Sequence, residues 1–190
     1  MKEFLRALRL PSLVIALATL TCGTAAAEDD SDVLKQIAKL RPPYSGDGAP
    51  EDQMGYSVDV SGDLMIVGVL DDDDVQNPNS ESLTNTKAGS AVIFQRDAND
   101  PTLWTQVAKL LPDTFSERFG FDVAIDGDVA VVAARTSSVG ASGAGAVYLF
   151  ERNTDGPDAW GQVRIVFAAD IQSQDGFGWS VDRSGDTLVV

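Results

Sequence analysis

Phe119-Gly120-Phe121-Asp122-Val123-Ala124-Ile125-Asp126-Gly127-Asp128, followed directly by Val129-Ala130-Val131-Val132-Ala133-Ala134, is the stretch that decides the fold. Phe121, Val123 and Ile125 alternate with Asp122, Ala124 and Asp126, the two-residue period of a strand. Asp126-Gly127-Asp128 then has the chemistry of a tight hairpin turn. The run from Val129 to Ala134 is apolar without a break, small and β-branched, as expected of a strand buried on both faces.

The same stretch recurs. Met54-Gly55-Tyr56-Ser57-Val58-Asp59 precedes it and Phe177-Gly178-Trp179-Ser180-Val181-Asp182 follows it, at separations of 65 and 58 residues. Each copy places a Gly-Asp pair at the same offset, ending at Asp63, Asp128 and Asp186. A fixed repeat of this length points to an array of similar sheet units. In the first copy Tyr56, Val58 and Val60 alternate with Ser57 and Asp59, and Leu64 to Val69 is the second apolar run.

Two further segments repeat in order. Gly89-Ser90-Ala91-Val92-Ile93-Phe94 matches Gly145-Ala146-Val147-Tyr148-Leu149-Phe150, rich in residues that favour sheets. These third strands end at Arg96 and Arg152, and turns rich in Asp, Asn, Pro and Gly lead to Trp104 and Trp160 at equal spacing. Fourth strands are expected at Gln106-Val107-Ala108-Lys109-Leu110 and Gln162-Val163-Arg164-Ile165-Val166. An orphan copy stands at Gln36-Ile37-Ala38-Lys39-Leu40. An early outer strand followed by four-strand units is how propellers close.

The combination of Phe-Gly, x-Ser-Val, Gly-Asp, an apolar strand and Gly-Ala-Val-Tyr-x-Phe resembles the FG-GAP repeats of integrin α-subunit propellers and of many exported microbial proteins. The resemblance covers roughly residues 33–190. It implies an all-β fold of four-stranded antiparallel blades of a β-propeller, incomplete in this chain. The units are an orphan outer strand at 33–40, a unit at 54–110, a unit at 119–166 and a partial unit at 177–190. Where the family has Gly-Ala-Pro, this chain has Gly68-Val69-Leu70 and Ala133-Ala134-Arg135, so the loop after the second strand departs from the pattern. Integrin-type repeats also carry an Asp-x-Asp-x-Asp-Gly-x-x-Asp calcium loop between their first two strands. Here that connection shrinks to Val60-Ser61-Gly62-Asp63 or Ile125-Asp126-Gly127-Asp128, too short to surround an ion that takes six to eight oxygens. No metal residue is carried over.

The chain has no histidine, which removes histidine triads and histidine metal sites. Carboxylates are plentiful, but no pair sits in an apolar surround of the kind that raises one pKa for glycoside hydrolysis. Asp71-Asp72-Asp73-Asp74 reads as a solvated, mobile loop, with weak cation contact as its alternative. Gly140-Ala141-Ser142-Gly143-Ala144-Gly145 superficially resembles a phosphate loop, but it leads into a strand and not a helix, so it reads as a flexible turn. Trp104 and Trp160 recur at repeat positions and are read as blade packing in preference to sugar platforms, and Trp179 is expected in the core.

Lys2, Arg6 and Arg9 precede an apolar run from Leu10 to Leu20, about half the length that spans a bilayer. With the small residues Thr24 to Ala27 before Glu28, this reads as a secretory signal at 1–27 cleaved after Ala27. Cys22 admits a lipoprotein alternative, against which stand Thr19 and Thr21 where Leu and a small residue are usual. Cleavage after Ala27 leaves a chain without thiols. The whole chain has 14 basic and 29 acidic residues, and loss of three basic residues and Glu3 leaves 11 against 28, a net charge near −17. Nucleic acid and anionic lipid are poor partners for such a surface.

The resulting expectation is a secreted, cell-surface or periplasmic binding or adhesion module without catalysis or cofactor. Its partner would be an extracellular protein or glycan, with the ligand-binding residues open. The rival is an accessory propeller of a longer exported enzyme such as a polysaccharide-degrading hydrolase. Self-association is expected if the chain is truncated, because its end units would then be uncovered.

Overall fold

The computed structural model describes residue 36 and residues 38–40, 52–72, 88–112 and 118–190. The chain divides into two units, Met1–Arg41 and Pro42–Val190. The expected signal peptide lies outside the described residues, as do Asp73, Asp74 and half of the orphan segment 33–40, whose described residues are not in a strand.

The described part of the second unit is all-β. Strands β1 (Met54–Ser61), β2 (Leu64–Val69), β3 (Ser90–Arg96) and β4 (Trp104–Leu110) form one antiparallel sheet in sequence order. Strands β5 (Phe119–Asp126), β6 (Val129–Ala134), β7 (Ala146–Arg152) and β8 (Trp160–Val166) form a second sheet of the same order. Strands β9 (Asp182–Ser184) and β10 (Thr187–Val189) open a third as a short hairpin. These are blade-like sheets, and they do not close into a complete propeller.

The repeated glycines set the geometry at two places. Gly127 has φ +56° in a two-residue turn that leaves Asp126 paired with Val129, a left-handed conformation that suits hairpins twisted like their strands. Gly120 has φ +84° where β5 bulges between the Phe119–Ala134 and Val123–Val132 pairs. A side chain at Gly120 would place its Cβ 2.2 Å from the Ser90 carbonyl oxygen of the first blade. The glycine of the anchor is therefore where adjacent blades touch backbone to backbone. A second bulge at Val107, and its copy at Val163, puts both valines in solvent.

β6 shows why the central apolar run is continuous. Ala130, Val132 and Ala134 pack toward the first blade, in one cluster with Leu64, Ile66, Ile93 and Leu110. Val131 and Ala133 pack on the opposite side with Val181, Phe177 and Leu188 of the third unit. Phe119 sits at the first junction, its ring centroid 5.3 Å from Tyr148 and 6.1 Å from Phe150 in edge-on contacts. Burial of this kind contributes about 25 cal/mol per Å² of apolar surface, so the junctions stabilise the stack.

First strands are joined differently. In β1 the polar Ser57, Asp59 and Ser61 are half-buried, whereas Tyr56, Val58 and Val60 are exposed. The reason is a ladder of side-chain acceptors reaching the next strand. Ser57 Oγ accepts from Val123 N at 3.2 Å, Asp59 from Ile125 N at 2.8 Å and Ser61 Oγ from Gly127 N at 3.1 Å. The next junction repeats two rungs, with Asp122 accepting from Val181 N at 2.8 Å and Asp126 from Gly185 N at 2.7 Å. At the middle rung Ala124 has no acceptor, and Arg183 instead reaches Asp126, with its guanidinium 3.3 Å from the carboxylate.

Three expectations need correction. The fourth strands begin two residues earlier than read, at Trp104 and Trp160, because each tryptophan pairs with the arginine that ends the third strand. Trp179 is not core: it is 64% exposed, lying edge-on to Phe121 with no further sheet over it among the described residues. Asp72 is not solvated, as set out below.

Candidate functional site

The loops that follow the second strands differ most between copies, although their backbones close alike. Asp72 N bonds to Val69 O and Ser137 N to Ala134 O, while Gly89 N bonds to Asp72 O and Gly145 N to Ser137 O. The next unit docks on this closure in both places, with Phe119 N on Ala88 O at 2.9 Å and Phe177 N on Ala144 O at 2.7 Å. Leu70 and Arg135 therefore occupy equivalent positions, as do Asp72 and Ser137.

In the first copy the loop is structural. Asp72 is 3% exposed, accepts from Ser90 Oγ and pairs with Lys109 Nζ at 2.8 Å. An aspartate in a four-aspartate block is buried here because a lysine from β4 and a serine from β3 meet it. Asp71 accepts from the Gln53 side chain. No cluster of candidate metal ligands occurs among the described residues.

In the second copy the loop opens into a cleft of about 440 Å³, lined by Arg135, Thr136, Ser138, Ser142, Gly143, Gln174 and Gly176. One backbone contact joins the two loops, Gln174 N donating to Ser142 O at 3.0 Å, and within the first loop Gly143 N donates to the Ser138 side-chain Oγ at 3.2 Å. The stretch Gly140–Gly145 is turn, as read, and leads into β7, yet it supplies part of the cleft wall. Gln174 holds φ +68°, a left-handed conformation uncommon for a residue with a side chain.

Arg135 dominates the cleft. Its guanidinium carbon lies 5.0 Å from the Phe121 ring centroid and 4.3 Å from that of Trp179, contacts that hold a planar cation against aromatic faces. Its Nε is withdrawn from solvent without a hydrogen-bond partner. The other half-buried basic side chains are paired: Arg96 with Asp63, Arg152 with Asp128 and Asp158, Lys109 with Asp72, and Arg183 with Asp126. No such carboxylate meets Arg135 among the described residues, in a chain whose net charge is −15.

The remaining sequence candidates serve the scaffold. Asp63 and Asp128 at the hairpin turns hold the arginines that end the third strands. Trp104 is buried and Trp160 packs against the main core cluster, with both indole Nε1 atoms buried and lacking acceptors. Asp100 titrates below the usual carboxylate range because the Thr102 hydroxyl, and then the Thr102 amide, donate to its charged form. Arg135 was legible only as a departure from the repeat: a cation stands where the sister copy has Leu70.

The comparisons agree with the repeat geometry. A family model for the FG-GAP repeat matches residues 34–94, 104–150 and 160–190. The second and third matches open at Trp104 and Trp160, where fourth strands begin, so each sequence repeat runs from the last strand of one sheet into the next. A comparison with curated proteins returned no similar sequence. With matches over most of its length and anchor glycines at the contacts between successive sheets, the chain belongs to the FG-GAP repeat family.

Proposed function

We propose that the chain is an exported module that binds an extracellular ligand and does not transform it. The observation that carries this reading is the composition of the cleft beside Arg135. It offers one guanidinium, three hydroxyl side chains, one amide and glycine backbone, with no carboxylate, imidazole or thiol in its lining to serve as a general base. Such a site suits recognition held by hydrogen bonds. Its place on loops carried by rigid sheets is where repeat scaffolds present ligand contacts.

The test is to apply the full chain to arrays of glycans and extracellular proteins, and to weigh the captured ligand by mass spectrometry. Saturable capture with the ligand's mass unchanged is expected. Release of cleaved or modified ligand would contradict the reading and favour an accessory region of an enzyme.

A further inference from the structure

We propose that the cleft beside Arg135 binds the carboxylate of an acidic saccharide, with the Arg135 guanidinium as the carboxylate-binding group. The proposal rests on the reading of the chain as a binding module and names the ligand class of its site.

The argument begins with the charge. Arg135 is held against Phe121 and Trp179, so its planar fork is positioned before any ligand arrives. A guanidinium in this state matches a carboxylate with two parallel hydrogen bonds. Elsewhere in the same sheets, half-buried basic side chains are neutralised from within the chain. The scaffold does not need a cation at this position, because the equivalent Leu70 is apolar and buried while the backbone around it closes in the same way. The remaining acidic surface does not cancel the site, since exposed charges are screened beyond about 8 Å at physiological salt. Asp175, next to Gln174 in the sequence, is engaged by Gln172 N at 2.6 Å.

The rest of the lining selects the ligand class. Thr136, Ser138, Ser142 and Gln174 present hydroxyl and amide groups, partners for a hydroxyl-rich molecule. The lining contains no large apolar side chain, which a peptide side chain would use as its pocket. A phosphate dianion would require more positive charge than one arginine supplies in an acidic chain. One carboxylate per sugar residue is the better match, as in a uronic acid.

The experiment titrates the full chain by calorimetry with a galacturonic acid trisaccharide, its methyl ester, a neutral galactose trisaccharide and a glutamate-rich peptide. The acid is expected to bind, with the ester and the neutral sugar at least about tenfold weaker, a loss of 1.4 kcal/mol or more. Arg135→Leu, which installs the sister copy's residue, should remove binding and leave the melting temperature within a few degrees. Arg135→Lys, which keeps the charge and loses the fork, should weaken binding without abolishing it. Equal affinity for acid and ester, undiminished binding by Arg135→Leu, tighter binding of the peptide, or no binding of the acid at millimolar concentration would each overturn the proposal. Capture of another ligand that Arg135→Leu leaves unchanged would overturn the proposal while sparing the binding-module reading, and cleavage of the trisaccharide would contradict that reading itself.

Discussion

Ser57 donates its hydroxyl hydrogen to Asp122 at 2.6 Å across the boundary between the first two blades. The other oxygen of Asp122 accepts from Val181 N, so one carboxylate ties together β1, β5 and the residue that precedes β9 of the third unit. Losing it leaves the Val181 amide and the Ser57 hydroxyl short of an acceptor, while Val123 N keeps Ser57 Oγ. Asp122→Ala is expected to cost about 1–3 kcal/mol in a denaturant melt, with Asp122→Asn costing less because one oxygen remains. A neutral Asp122→Ala would mean that apolar packing alone joins the units.

The Asp72–Lys109 pair gives a second prediction. Lys109→Met removes the cation from a carboxylate that is almost wholly buried, and breaking such a pair costs about 3 kcal/mol at the lower end of the observed range. Calcium should not restore the lost stability, since Ser90 remains bonded to the same carboxylate. Thermal melts of Lys109→Met with calcium and with chelator should coincide; a calcium-dependent rise in melting temperature would show that Asp72 belongs to a cation site.

Two complementary faces exposed among the described residues predict association between copies of this 190-residue chain. Val58 and Val60 of β1 face away from the second blade, and Trp179 and Val189 of the third unit are likewise exposed. The repeat makes these faces complementary, because Ser180, Asp182 and Ser184 stand where Ser57, Asp59 and Ser61 accept from the following strand. Head-to-tail contact of this kind adds copies one after another, forming a ring if the rotation between copies closes and an open chain if it does not. Sedimentation velocity of the full chain should show a mass that grows with concentration, reduced by Val58→Lys. A single monomer species at every concentration would count against it.

Export is tested at the terminus. Mass spectrometry of the secreted product should find Glu28 first, after loss of residues 1–27. A lipidated Cys22 at the terminus would indicate the other signal type.

Much of the scaffold was legible because its signals are local. The apolar runs of β2 and β6 are buried over all or nearly all of their length, and the Gly-Asp pairs mark the hairpins. The starts of β4 and β8 were not, since Trp104 and Trp160 follow turn residues and join the sheet only through their cross-strand arginines. The polar ladder was visible as alternation in Ser57-Val58-Asp59-Val60-Ser61, but the side of the strand that meets the neighbour is a property of the stack. Asp72 was misread because its lysine partner comes from β4, distant in sequence. The cleft draws on Arg135 and Gln174 from two loops, and their meeting depends on how the third unit packs against the second.

The most direct test of the account is nuclear magnetic resonance of the nitrogen-labelled full chain titrated with the galacturonic acid trisaccharide. The account predicts saturable shifts confined to the amides of Thr136, Gly143, Gln174 and Gly176 and to the Trp179 indole, with the Trp104 and Trp160 indoles unmoved and every shift lost in Arg135→Leu. Shifts centred on other loops, or a spectrum that the trisaccharide leaves unchanged, would contradict it.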